Sequence, residues 1–188
     1  MRLRLLLLAG CLFCLTGCAV TMGAHAPSMD TTVVLRDANL TALNVGEFRP
    51  ASSLAPSLDH SITSRGNPIH PPTGNSFSAY LRESLLGDLK TAGKYDPTAP
   101  VTIAGELTEN SLSTGVSEGH AALAARFKVV RGNDVLYNKE LRQEERWDSS
   151  FIGAVAIPDA INHYTSQYAK LLDQLYKDEE FRAAAKGR

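Results

Sequence analysis

Three kinds of hydrophobic pattern run along this chain. Residues 5–15 form an uncharged apolar run of 11 residues. In residues 77–92, Phe77, Leu81, Leu85 and Leu89 recur every fourth position, with Tyr80 and Ala92 beside them. That spacing gives one apolar helical face. Asn75 or Ser76 is placed to cap the helix start, and Gly93 suits its left-handed stop. Residues 101–108 alternate instead: Val101, Ile103, Gly105 and Leu107 point one way, and the residues between them the other. This is the period of a half-buried strand. Ala121, Leu123, Ala125, Phe127 and Val129 define a second strand. Gly132-Asn133 then marks a two-residue hairpin, and residues 135–147 return with Val135, Tyr137 and Leu141 on one face. Ile161, Tyr164, Tyr168, Leu171, Leu172 and Leu175 restore helical spacing, with Pro158 in the first turn. Near the start, the β-prone Thr32, Val33, Val34 and Leu35 predict a strand over residues 31–39.

The predicted order is β-α-β-β-β-α. Its simplest packing is a two-layer α+β sandwich: about four strands, mainly antiparallel, with two helices on one face. The other sheet face is left exposed or available. Between these elements the pattern lapses. Residues 19–30 are small and polar and read, with Cys18, as a flexible tether over residues 18–30. Residues 46–75 carry Pro50, Pro56, Pro68, Pro71 and Pro72 among serines and read as a long, partly disordered loop. Residues 110–119 read as a Ser/Gly loop or an irregular strand end. The expected organisation is a single domain over residues 31–182 with a tail at residues 183–188.

The apolar run at residues 5–15 acquires meaning from its flanks. Arg2 and Arg4 precede it, and Leu15-Thr16-Gly17-Cys18 closes it. The run is shorter than the roughly 20 residues a membrane-spanning helix needs, and the layout is that of a secretory signal. LTGC resembles the bacterial lipobox, L-[AST]-[GA]-C. In proteins with that motif the cysteine thiol receives a diacylglycerol, the preceding peptide bond is cut, and the new amino group is acylated. The resemblance implies a signal peptide at residues 1–17 and lipidation at Cys18. Ordinary cleavage, with Ala19 and Ala24 as the small residues, is the alternative. Ala19, rather than Asp, after the cysteine resembles the outer-membrane class, with the domain in the periplasm.

Cysteine usage fits this reading. Cys11 and Cys14 spell C-x-x-C, but inside a segment that leaves with the signal; Cys18 then remains as the one cysteine of the mature chain. A mature domain without a disulfide is held by its own core. Loss of Arg2 and Arg4 leaves 17 basic against 20 acidic residues, a mild negative charge with no basic stripe for nucleic acid.

Catalytic patterns are lacking in the sequence. The five histidines, His25, His60, His70, His120 and His163, show no metal-ligand spacing. Residues 87–94 faintly echo a phosphate loop, but the spacing is one residue too long and Tyr95 replaces Ser or Thr. Glu144 and Glu145 are strand neighbours that face opposite ways. The expectation is a non-enzyme without a cofactor or metal. One apolar segment stands out: Phe151, Ile152, Val155 and Ile157 in an uncharged run at residues 151–157. Such runs usually pack as core, here leading into the last helix. The alternative is an exposed lip that contacts a lipid or a partner.

Taken together, LTGC, the helix FSAYLRESLLGDLKTAG, the strand VTIAGELTE, the hairpin around RGND and the closing helix resemble small bacterial envelope lipoproteins. These include YajG-like lipoproteins, transport-auxiliary lipoproteins and the lipopolysaccharide-assembly lipoprotein. The resemblance implies a membrane-anchored accessory or binding module of an envelope transport or assembly system, with an envelope protein partner. The alternatives are a ligand- or toxin-binding lipoprotein and, more remotely, a hydrolase with an unrecognised site.

Overall fold

The computed structural model describes residues 20–186, so Cys18 and the signal segment lie outside the described residues. In chain order the elements are β1 (Val20–Thr21), α1 (Met29–Asp37), β2 (Asn44–Pro50), a 3-10 turn (Pro56–Asp59), β3 (Ile62–Ser64) and β4 (Asn67–His70). They continue with α2 (Phe77–Ala92), β5 (Val101–Thr114), β6 (Glu118–Arg131), β7 (Asp134–Asp148), α3 (Gly153–Lys177) and α4 (Glu179–Ala184). The fold is an open α+β sandwich. A four-stranded sheet runs in the order β2-β5-β6-β7, and a small three-stranded sheet in the order β1-β4-β3. The large sheet is antiparallel except at its edge, where β2 runs parallel to β5.

Three long strands form its spine. Ile103, Val129 and Tyr137 stand in register, as do Leu107, Ala125 and Leu141. All six are buried, and α2 and α3 cover this one face. Helix α2 begins where Ser76 accepts the Ala79 N–H and ends at left-handed Gly93, as the sequence pattern predicts. Helix α3 turns Ala156, Ala160, Tyr164, Tyr168, Leu171 and Leu175 inward. The tyrosines interlock edge to face: Tyr80 on Tyr168 at 4.8 Å and Phe77 on Tyr164 at 5.7 Å between ring centroids. The Tyr164 hydroxyl reaches both Tyr168 and Asn110, so these buried polar atoms are satisfied within the core.

The structure differs from the sequence pattern in several places. Residues 31–39 predict a strand, but the chain folds there as helix α1. Ser28 caps it by accepting the Thr31 N–H at 3.0 Å, and Thr32 and Leu35 turn onto the core. Capping and burial at helical spacing outweigh the weak β preference of Val33 and Val34. The sheet's first strand is instead β2, anchored by buried Val45 and Phe48 across a bulge. Residues 46–75 are not one loop: they hold most of β2, the 3-10 turn and the β3–β4 hairpin, with Leu54, Ile62 and Ile69 buried. Residues 110–119 are mostly strand, because β5 and β6 pair until a tight hairpin closed by Gly115 N–H to Glu118 O. Val135 is half exposed rather than inward, since a bulge at Val129/Val130 shifts its register. Pro158 lies inside α3, which begins at Gly153.

The tether reading is corrected as well. Val20 and Thr21 pair with Ile69 and His70, and Met22 is buried. The chain then follows α2 as a strap. The Tyr80 hydroxyl donates to Gly23 O, His25 Nε2 lies 2.8 Å from Asp88 Oδ1, and Pro27 rests by Gly87.

At the β2–β5 contact, Gly105 is a packing requirement. A Cβ there would overlap the ring of buried Phe48, which itself meets Phe127 edge on. Gly105→Ala is expected to lower stability by about 1–3 kcal/mol, the usual cost of overpacking. Urea denaturation checks this; an unchanged midpoint would mean that the Phe48 ring moves aside freely.

Candidate functional site

The β7–α3 junction brings the sequence-flagged apolar segment to one end of the sheet. Phe151, Ile152 and Val155 are 81 %, 62 % and 55 % exposed, so the core reading of this run is overturned. Ile157 is only half buried and packs near Gly153. The cause lies in the helical period. Val155 stands about 100° around the helix from Ala156, off the stripe that Ala156, Ala160 and Tyr164 turn to the core, while Ile152 is the extended N-cap residue and lies with Phe151 beyond the packed end of the helix. Val116, at the tip of the β5–β6 hairpin, is 64 % exposed and adds a fourth apolar side chain at the same end.

Arg65 gathers these segments. It sits with Gly66 in the two-residue turn between β3 and β4, both at positive φ (50° and 81°). That geometry is a type I′ hairpin, and it is uncommon for a side chain as large as arginine. The guanidinium is well occupied. It donates to Phe151 O at 3.0 Å, to Ser150 O at 2.6 Å, to Ser149 Oγ and to Gly115 O. The Ser149 N–H adds a bond to Ser117 O. Three separate loops are thereby clipped into one surface, an apolar lip over a polar scaffold. Sequence reasoning misses Arg65 and Val116 because both fall in stretches read as loop. The detectable signal is Arg65-Gly66 between Ile62 and Ile69, a hairpin pattern inside the Pro/Ser region.

The sheet face away from the helices has a different character. Arg49 pairs with Glu106 and Arg126 with Glu140, and Arg146 reaches Glu118. Arg142 on β7 reaches across β6 to Glu109 on β5 at 2.6 Å and also pairs with Glu144. The crossing is allowed because Ala124 stands between them, buried beneath the charges. Beside this row an open groove of about 390 Å³ is lined by residues including Glu47, Arg49, Glu106, Arg126, Lys128 and Asn138. Glu144 also bonds His120 at 2.8 Å, whereas Glu145 turns to the helix layer and meets Gln167 and Lys170. The two glutamates face opposite ways, as strand geometry requires.

The remaining histidines make structural contacts. His60 Nδ1 bonds Asn75 O, His70 Nδ1 bonds His60 O, and His163 stacks on Trp147 with ring centroids 4.4 Å apart. Among the described residues no group of three or more His, Cys, Asp or Glu could hold a metal ion. Nor is any helix among them long and apolar enough to cross a membrane.

The fold and this end together define a class: an open α+β sandwich with a bare charged sheet face and a clipped apolar lip. No family model matches the sequence, and no curated protein matches it. Solved structures show likenesses of outline. A Xanthomonas campestris protein of the DUF330 family is 14 % identical, with a TM-score of 0.48, over 89 % of this chain and 92 % of its own. A Caulobacter crescentus protein provisionally classed as a lipoprotein is 12 % identical, with a TM-score of 0.46, over 84 % of this chain and 97 % of its own. The lipoprotein GNA1162 of Neisseria meningitidis is 12 % identical, with a TM-score of 0.27, over 71 % of this chain and 99 % of its own.

The exposure of the lip has a direct consequence for stability. Ile152→Asp is expected to leave the melting temperature within a degree or two, as surface substitutions usually stay within about ±0.5 kcal/mol. A sharp fall would return Ile152 to the core.

The charged face has a pH signature. Hydrogen bonds from Arg142 and then His120 hold the Glu144 carboxyl down at about 2. A depressed carboxyl pKa contributes stability that is present above the unfolded value, about 4.3, and lost as pH falls through the folded one. Glu144 is exposed, so the contribution is small. The difference in melting temperature between wild type and Glu144→Gln should close as pH drops from about 4.3 to about 2. A difference that stays constant over this window would show that the ion pairs of Glu144 add nothing.

Proposed function

We propose that this chain is a lipid-anchored envelope lipoprotein, acylated at Cys18 and held at the outer membrane with its domain in the periplasm. Its domain acts there as a non-enzymatic binding module of an envelope transport or assembly system. The observation that carries the reading is the join between sequence and fold. The lipobox-like LTGC ends at Cys18, and the first described strand begins at Val20. An anchor at Cys18 would thus stand two positions before a residue already paired within the domain, Val20 beside Ile69. The accessory role draws on the resemblance of the elements to small envelope lipoproteins. The bare sheet face, with its groove and paired charges, offers a surface on which a protein partner would meet mixed charge rather than a reactive centre.

In-cell crosslinking followed by mass spectrometry tests both parts. The expected N-terminal peptide begins at Cys18 and carries acyl chains, and the expected crosslinks join the sheet face to one reproducible envelope protein. A mature N-terminus after Ala19 or Ala24, without lipid, removes the anchor. Absence of any reproducible partner removes the module.

A further inference from the structure

We infer that the lip is a membrane contact: Val116, Phe151, Ile152 and Val155 seat in the interfacial layer of the same bilayer that holds the anchor. This rests on the lipid-anchor reading of Cys18.

The direction of β1 supports it. β1 runs parallel to β4, with Val20 beside Ile69 and Thr21 beside His70. The chain therefore enters β1 from the side of the Arg65-Gly66 turn, where β4 begins. The Arg65 guanidinium reaches from that turn to Phe151 O and Gly115 O, so the lip lies one arginine side chain away.

The reach of the anchor is short. Only Ala19 stands between Cys18 and Val20, and two residue steps span at most about 7 Å. The strap beyond gives no slack, because Met22 N–H bonds His70 O, Tyr80 bonds Gly23 O and His25 bonds Asp88. Acyl chains on Cys18 would draw this end of the domain onto the membrane surface, where Phe and β-branched side chains would otherwise face water.

Charge points the same way. The acceptors of Arg65 are all uncharged oxygens, so the lip carries a cation suited to the phosphate layer. Behind it, Glu118 is paired with Arg146, and Asp159 lies near His163. Asp148 is exposed opposite Glu118 at the end of β7.

The full-length protein, lipidated by a bacterial host, tests this. Acylation blocks Cys18, so Phe151→Cys would carry a single polarity-sensitive fluorophore. Val135→Cys serves as control. It is exposed and lies near the opposite end of β7, 13 residues from Asp148 or roughly 43 Å at the usual strand rise. Both proteins are reconstituted in phosphatidylethanolamine–phosphatidylglycerol vesicles that contain lipids spin-labelled near the headgroup.

The expected result is a blue shift and strong quenching at position 151, with neither at position 135. Equal, weak quenching at both sites, with the parent protein unlabelled and floating with the vesicles, overturns the membrane contact and leaves the anchor standing; a parent protein that neither labels nor floats has lost Cys18 with its signal, and the anchor reading then fails. A blue shift at 151 that grows with protein concentration without quenching assigns the lip to a second copy of the chain and also overturns it. Label uptake by the parent protein shows an unacylated cysteine, and the anchor reading then fails with the inference built on it.

Discussion

Much of this architecture depends on one buried carboxylate. Asp88, 1 % exposed in α2, is met by the Tyr176 hydroxyl from α3 at 2.9 Å and by His25 from the N-terminal strap at 2.8 Å. A buried carboxylate costs several kcal/mol unless its oxygens find partners. Here each oxygen has one, and the partners come from different parts of the chain. Satisfying Asp88 therefore demands that α3 lie beside α2 and that residues 22–27 follow α2 rather than swing free. The same demand turns a segment that reads as a tether into part of the domain, and so fixes where the chain enters β1.

The two sheet faces solve opposite problems with the same strands. The inner face is filled by aromatic and branched side chains beneath two helices. Among the described residues no layer covers the outer face, and the middle of β6 there carries the small side chains of Ala122 and Ala124, both buried. Long arginine stems from β7 and the carboxylates they reach roof these alanines. Exposed ion pairs add little stability individually. Their effect is to shield small apolar positions and to keep a large bare sheet face from becoming an apolar patch.

How much of this was legible depended on whether a residue's role was local. Helix α2 was legible because its apolar period, Ser76 cap and Gly93 stop all lie within the segment. The β6–β7 hairpin was legible for the same reason, with Gly132 at a φ of 57°. Helix α1 was not, because its sequence is weakly β-prone and the Ser28 cap prevails only together with burial of Thr32 and Leu35 against distant elements. The strap was not, because its partners, Tyr80 and Asp88, lie 57 and 63 residues away. Of the candidate site, the residues Phe151, Ile152, Val155 and Ile157 could be picked out, but their exposure could not. An uncharged run is compatible with either face of a helix until the core-facing stripe is known. Cys18 was legible as a motif alone and lies outside the described residues.

Anchor and lip would divide one physical task. An acyl chain contributes about 0.8 kcal/mol per buried CH₂, so two or three chains hold a protein on a membrane without help. A single attachment point fixes position and leaves the domain free to rotate about it. Fully burying a Phe, Ile or Val side chain is worth about 1.5–3 kcal/mol. That is small beside the anchor but several times thermal energy, which suffices to choose an orientation. With the lip down, the long strands β5 to β7 lead away from the bilayer, and the Gly132-Asn133 turn lies at their far end. The paired charges and groove of the outer sheet face then lie along the side of the domain, clear of lipid. Arg65 matters to this arrangement less as a charge than as the clip that keeps three loops in one surface.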